Sequence, residues 1–339
     1  PPKIAIISLG GTYLTKDLKT YWTTYLGRSG NPNVTYVNRI SGSRNRPDQR
    51  IRRGDGSDEN TLDIEIAMGI CPAAQIIVYF GPNSLVGFYN AIARAISDGN
   101  KIISISWGAS ESAFGANNLN SYNQLFANAA AQGVAICVAS GDNCASDGNS
   151  TLTLDFPSCS PYAIACGGTS LSSPESVWSY NPTYGWGTGG GLSNFFTSIR
   201  DNAVQYPALG STTPNIDASI TAKRRSSPDI ALNGDPLTGW TIYFNGTLYT
   251  SAFGGTSCVS PAFSGFLGLV NKNYGTSNPT NQLYDAYLNG TGCYNDITIG
   301  NNNDLPNTAN VYVARVGFDQ CSGMGTINGT NLANYILTH

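Results

Sequence analysis

Between residues 76 and 140 the chain switches repeatedly from short apolar runs to amphipathic stretches, and the hydrophobic period changes with each switch. The runs 76–80, 102–107 and 134–140 have the length and continuous apolarity of strands buried on both faces. Between them, 85–96 places Phe88, Ala91, Ile92 and Ala95 on one helical face, and 121–131 predicts a second helix stopped by Gly133, a residue suited to a left-handed cap. Strand, helix, strand, helix, strand is the order of parallel βαβ units. Further strands are predicted at 4–9 and 162–166, a helix over 58–69, and a final helix over 257–270. From about 167 to 228 Gly, Ser, Pro and Tyr dominate, which predicts long surface loops. No repeat, heptad or linker divides the chain. The expectation is one α/β domain over 1–339, with a mostly parallel central sheet flanked by helices.

Composition narrows the chemistry. Only 12% of the 339 residues are charged, about half of the usual share. The net charge is −3, and with no block rich in lysine and arginine expected to neutralise phosphates, no nucleic-acid partner is expected. No run is long enough for a membrane span. Histidine occurs once, as the terminal His339, which excludes a Ser-His-Asp triad and most catalytic zinc sites. The eight cysteines include no CxxC pair, so a zinc ribbon is unsupported and some disulfides are possible. Sequons begin at Asn33, Asn149, Asn245, Asn289 and Asn328, a density suited to a secreted or lysosomal (acidic vacuolar) glycoprotein, although an Asn/Thr-rich chain also produces such triplets by chance. A protein with few carboxylate–cation pairs has less to lose when carboxylates protonate, which suits an acidic compartment. The chain opens on a strand with no signal peptide, as a mature form would.

Three segments could carry chemistry. Glu59 and Asp63 stand four apart in a predicted helix that Ser57 or Asp58 can cap, so their carboxyls share one face and can share a proton. Acidic residues that only complement the helix dipole are the plainer alternative. Ser257 follows Gly254-Gly-Thr and opens an apolar helix, a placement open both to a nucleophile near a helix N-terminus and to an ordinary cap. Asp142 falls at the carboxyl end of a predicted parallel strand, where α/β folds place ligands, or is a turn residue.

Taken in order, Glu59 with Asp63, Val78-Tyr-Phe-x-Pro-Asn83, Ser104-Ile-Ser-Trp-Gly108, Ser140-Gly-Asp142, Asp155-Phe-Pro157, Thr188-Gly-Gly-Gly191 and Gly254-Gly-Thr-Ser257-x-x-x-Pro261 resemble the sedolisins, the serine-carboxyl peptidases. The resemblance implies a subtilisin-like fold and an acid-acting endopeptidase with Ser257 as nucleophile, Glu59 as general base, Asp63 sharing its charge, and protonated Asp142 in the oxyanion hole. It also implies that Trp107, Asp155, Gly189 and Gly190 lie at the substrate, and that one structural calcium ion sits in the 293–323 region. Asp296 and Asp319, with carbonyls of Ile297, Arg315 and Gly317, would hold that ion, and Cys293 and Cys321 could clamp the same loops. The implied partners are a peptide or protein substrate and the chain's own propeptide before maturation, with a monomer as the resting state. Two departures stand out: Leu14 and Thr15 lie where relatives carry a supporting glutamate, and Arg315 replaces a family glycine. A tripeptidyl-peptidase is the alternative activity. A glycosidase using Glu59 and Asp63, or a non-catalytic glycoprotein, would leave Ser257 without a role.

Overall fold

In a computed structural model that describes residues 1–180, 185–199, 224–305 and 311–339, the apolar runs become neighbouring parallel strands. They are β1 (Lys3–Ser8), β2 (Val34–Val37), β3 (Gln75–Phe80), β4 (Ile102–Ile105), β5 (Ala135–Ala139), β6 (Ile164–Ser170) and β7 (Ile230–Asn233). Their order across the sheet is β2-β3-β1-β4-β5-β6-β7, continued by Thr326–Ile327 and an antiparallel edge at Tyr294–Asn295. Register is direct along β1, where Ile4 pairs with Ile76 on one side and Ile102 on the other.

Successive side chains of a strand point to opposite faces, so each strand feeds two cores. Ile4, Ile6, Ile76, Val78 and Ile164 meet α1 (Ser57–Ile70) and α4 (Thr256–Val270) through Ile64, Met68, Val259 and Phe263. Ala5, Ile7, Ile103, Ile136 and Val138 meet α2 (Leu85–Ser97) and α3 (Ala116–Ala130) through Phe88, Ile92, Leu119 and Phe126. Continuous apolar strands between two helical layers are what a parallel sheet requires. The predicted mostly parallel sheet with flanking helices is therefore the observed architecture.

Several boundaries differ from expectation for identifiable reasons. β4 stops at Ile105 and β5 at Ala139, because Ser106 and Ser140 already belong to the loops at the strands' carboxyl ends. The cap of α1 is Gly56, at φ 86°, and not Ser57 or Asp58. Ser57 Oγ instead bonds Asp55 Oδ1 and accepts from the Thr12 N–H at 3.0 Å, tying the helix start to the end of β1. The helix over 256–270 is not the last. α5 (Pro279–Asn289) and α6 (Gly329–Thr338) follow, each opened by an asparagine side chain, Asn278 on the Thr280 N–H and Asn328 on the Asn331 N–H. The stretch 167–228, expected as loops, lies partly outside the described residues; within them, Gly191–Thr197 pairs antiparallel with Arg224–Ser227. A hairpin of β8 (Trp240–Phe244) and β9 (Thr247–Phe253) leads directly into α4. Among the described residues no helix is long and apolar enough to cross a membrane.

The approach of α1 to α4 positions the functional residues. A Cβ on Gly265 would stand 2.8 Å from the Ile70 Cβ, so only a glycine lets the two helices pack at this separation. We expect Gly265→Val to cost about 1–3 kcal/mol in urea unfolding through overpacking. Its effect on any activity of Ser257 should exceed that fraction, because the helices carrying the functional groups are pushed apart.

Candidate active site

Ser257 stands half-buried in the first turn of α4. Four residues on, Pro261 has no N–H to give, so the Ser257 carbonyl lacks the usual helical donor. The Ser106 hydroxyl, just past β4, takes that place at 3.2 Å. The same hydroxyl lies 2.7 Å from Asp63 Oδ1, so its one hydrogen stands between two acceptors. Ser260, one turn along, fixes the helix to the sheet: its Oγ is 2.9 Å from Ser104 Oγ and donates to the Cys137 carbonyl at 3.0 Å.

Glu59 and Asp63 project from α1 toward this point, and Glu59 is within hydrogen-bonding reach of Ser257, Ser106 and Asp63. Asp63 is fully buried, and Glu59, half-exposed as a residue, has its Oε1 buried. Glu59 Oε1 and Asp63 Oδ2 have no donor, which a proton held between the two carboxyls would supply. Burial is the main cause that pushes Glu59 from the ordinary 4.5 up to about 8; the charges of Asp142 and Asp58 push the same way, against hydrogen bonds from Ser257 and Ser106. Asp63 is raised well above the usual carboxylate range by burial first and by the Glu59 charge second. The two titrate as a unit. Behind them, Asn60 rather than an acidic residue links α1 to the end of β1, donating to the Gly10 carbonyl at 2.8 Å, while Thr15 pairs with Asp48.

Asp142 follows β5 and is held by Thr256, whose N–H and hydroxyl both donate to Oδ1, at 2.7 and 2.8 Å. Oδ2 lies over Gly255, where a Cβ would be 2.6 Å away and where φ is 95°. With Oδ1 occupied as an acceptor, Oδ2 is the oxygen free to carry a proton. Burial raises the Asp142 pKa against the two Thr256 bonds. Asp142 and Gly255 border a cleft of about 420 Å³ with Trp178, Trp186, Pro236 and Phe253. These four apolar residues escaped the sequence reading; Trp186, 59% exposed at the mouth, is the one whose exposure in the fold marks it out.

The four candidate catalytic residues are thus brought together. Trp107 packs against the Gly56 cap of α1, with its ring 2.7 Å from the position of a Gly56 Cβ. Asp155 is buried against Gly108 and raised by burial, then by Asp147 and Asp142. Gly189 and Gly190 are buried too, packed on the backbones of Ser140 and Gln320.

At the other end of the sheet, Asp296 Oδ2 accepts from the Gly317 N–H at 2.8 Å and Asp319 Oδ2 from the Arg315 N–H at 3.1 Å, so both carboxylates close on the stretch 315–317. Ile297 is buried beside them, and the Arg315 guanidinium turns to Gln320. Among the described residues no three His, Cys, Asp or Glu side chains converge as a metal site, so peptide carbonyls would have to complete an oxygen shell around these two. The Cys293–Cys321 clamp is not formed: all eight cysteines are free and buried. Cys293 belongs to the core under α5 and α6, and Cys321 to a separate cluster with Leu192 and Tyr312.

A sequence model of the subtilase family matches residues 53–330, and the chain belongs to that family. Within it, the chain is 38% identical over 351 residues to kumamolisin from Bacillus sp. (strain MN-32), covering 98% of this chain and 60% of that protein. It is 30% identical over 361 residues to sedolisin from Pseudomonas sp. (strain 101), covering 98% and 57%. The solved structure of Pseudomonas sedolisin, a serine-carboxyl proteinase complexed with two molecules of pseudo-iodotyrostatin, superposes with a TM-score of 0.80 at 28% identity, over 100% of this chain and 93% of that one. The chain spans about 60% of the length of these relatives.

The buried carboxyls also set how stability depends on pH. Glu65, fully buried on α1, accepts from the Tyr243 N–H at 2.7 Å, and burial pushes it to about 9, with the Asp17 charge adding and the Tyr243 bond opposing. A carboxyl raised in the folded state binds its proton more tightly there than when unfolded. Its contribution is complete below the unfolded value near 4.5 and is lost as pH rises through about 8 for Glu59 and about 9 for Glu65. Thermal melts should therefore give a higher Tm at about pH 4 than at about pH 8, and Glu65→Gln should flatten the upper part of that decline.

Proposed function

We propose that this chain is the catalytic portion of an acid-acting serine-carboxyl endopeptidase. The observation that carries the reading is the Glu59–Asp63 carboxyl pair within reach of Ser257 in a chain whose one histidine is its last residue. As Ser257 Oγ attacks a peptide carbonyl carbon, its proton passes to Glu59, the form of the pair with one proton and one charge being the acceptor. The oxygen of the tetrahedral adduct takes hydrogen bonds from protonated Asp142 Oδ2 and from the Ser257 N–H, which in the first turn of a helix has no carbonyl to serve. Collapse breaks the C–N bond, and Glu59 returns the proton to the leaving amine. Water then attacks the ester on Ser257 by the same steps in reverse order. The cleft beside Asp142, walled by Trp178, Trp186 and Phe253, receives an apolar side chain on the acyl side.

Activity is bounded at low pH by full protonation of the pair and at high pH by loss of the proton on Asp142; with Glu59 at about 8 in the free chain, the acid-side bell belongs to kcat, which reports the bound state, and requires substrate binding to lower the pair. A maximum near pH 8 would refute the mechanism. Ser257→Ala should abolish turnover with the melting curve retained, and Asp142→Ala should cost roughly a hundredfold or more in kcat. A peptide aldehyde should form a hemiacetal on Ser257 with its oxygen toward Asp142.

The same reading extends to one structural calcium ion. The donors fit: Asp296 and Asp319, with carbonyls of Ile297, Arg315 and Gly317, are all oxygens of the kind calcium takes. The ion would brace the C-terminal loops and takes no part in the chemistry. Chelation should lower Tm, and Asp319→Asn should remove that sensitivity; an unchanged Tm would dismiss the ion. An acidic extracellular, lysosomal or vacuolar location accords with the stability gained at low pH and with exposed sequons at Asn33, Asn245 and Asn289. A propeptide partner accords with the greater length of the relatives. The working form is taken as a monomer acting on peptides or proteins.

A further inference from the structure

The loop 38–55, between β2 and α1, holds Arg39, Arg44, Arg46, Arg50, Arg52 and Arg53, a third of the chain's 18 lysines and arginines and a basic block where none was expected. All six are exposed. The loop's two aspartates are occupied elsewhere: Asp48 accepts from the Thr15 N–H and hydroxyl, and Asp55 from the Arg52 N–H and from Ser57. Among the described residues the ion pairs are Arg94–Asp98 and Arg225–Asp229, so none of the six is paired with a carboxylate. The loop is also held in shape. Asn45 donates to the Gly11 carbonyl at 2.7 Å, Thr12 to the Arg46 carbonyl at 2.6 Å, and Gln49 accepts from the Arg46 N–H at 3.0 Å. Two adjoining cavities of about 420 and 670 Å³ open on it, sharing Arg46 and Gln49.

Its position relative to Ser257 follows from the sheet. Ser106 and Trp107 leave the carboxyl end of β4, Gly10 to Thr12 that of β1, and Asn38 and Arg39 that of β2, all on the edge that carries the active site. In the order β4-β1-β3-β2 the loop lies one to three strand spacings from β4, on the side away from Asp142. At about 4.8 Å per spacing and 3.3 Å per extended residue, that is about two to four residues of substrate. Glu59 hands its proton to the leaving amine, so the leaving-group side of the substrate departs on the Glu59 side, toward the arginines.

We propose, resting on the peptidase reading, that this loop is a subsite for acidic side chains on the leaving-group side of a polypeptide substrate, about two to four residues beyond the scissile bond. A substrate carboxylate facing guanidinium groups has its pKa lowered, so it stays ionised under the acidic conditions in which the enzyme works. The preference is present above that lowered value and fades below it. A nucleic acid suits the loop less well, because residues 38–55 contain no aromatic ring on which a base could stack.

The test uses two quenched fluorogenic peptides that differ only in carrying Glu or Gln at those leaving-group positions. At low salt the Glu peptide should have a roughly tenfold higher kcat/KM, mostly in KM, shrinking toward parity near 1 M salt, where the screening length is about 3 Å. The triple change Arg46→Gln, Arg50→Gln, Arg52→Gln should erase the preference, whereas the same three changed to Lys should keep most of it, an outcome that a purely structural role for the arginines would not give. Equal kcat/KM for both peptides in the unchanged protein, or a preference that survives the Gln changes, overturns the subsite. Cleavage of neither peptide overturns the peptidase reading beneath it. A single-stranded oligonucleotide that binds the loop and displaces the Glu peptide at lower concentration overturns the choice of partner.

Discussion

Two carboxyl groups packed side by side beneath a protein surface, with no cation between them, cannot both give up their protons. At Glu59 and Asp63 that constraint is imposed by the approach of α1 to α4, which Gly265 permits and which leaves one buried oxygen of each group without a donor. Much else follows. In the proposed reaction the shared proton would make the pair a base that works in acid, and Asp142, buried and with Oδ1 already occupied by Thr256, would hold a proton under the same conditions. One environment would thus give that reaction an acceptor and a donor from the same side-chain chemistry, where an imidazole would otherwise be needed.

The wider economy of charge is consistent with this. Among the described residues there are two ion pairs, one exposed between Arg94 and Asp98, one buried between Arg225 and Asp229. Carboxyls such as Glu65 and Asp155 are instead buried with raised pKa values. A fold assembled in this way gains protons on folding, the reverse of a protein stabilised by ionised carboxylates.

The sheet was legible in the sequence because its strands are continuous apolar runs and α2 and α3 repeat at helical spacing. The end of β5 was legible as a turn carrying Asp142, whereas Ser106 fell inside the expected run 102–107 and is placed in a loop only by the fold. β2, with Tyr36 and Thr35 exposed, has no apolar run to announce it, and α5 and α6 are built largely from Asn, Thr, Gln and Tyr, so their short apolar stripes vanish into polar composition. Glu59, Asp63, Asp142 and Ser257 could each be nominated from spacing and position, and the motifs around them joined the four. Ser106 could not be assigned a role, because its bond to the Ser257 carbonyl exists only where β4 and α4 meet. The walls of the cleft were hidden for a similar reason: Trp178 and Trp186 stand close together in one stretch, while Phe253 ends β9, far away in the sequence. The arginines of 38–55 were visible as residues, but their significance depends on the sheet edge they share with Glu59.

The proline in α4 has one more implication. By withholding an N–H it leaves the Ser257 peptide group bonded to a hydroxyl that also faces Asp63. A proton moving on the carboxyl pair would change how strongly Asp63 competes for that hydroxyl, and with it the polarisation of the carbonyl of residue 257. The Ser257 backbone would thereby serve as a vibrational reporter: an isotope-labelled carbonyl there would register, as a change in stretching frequency, the protonation of groups that belong to another helix.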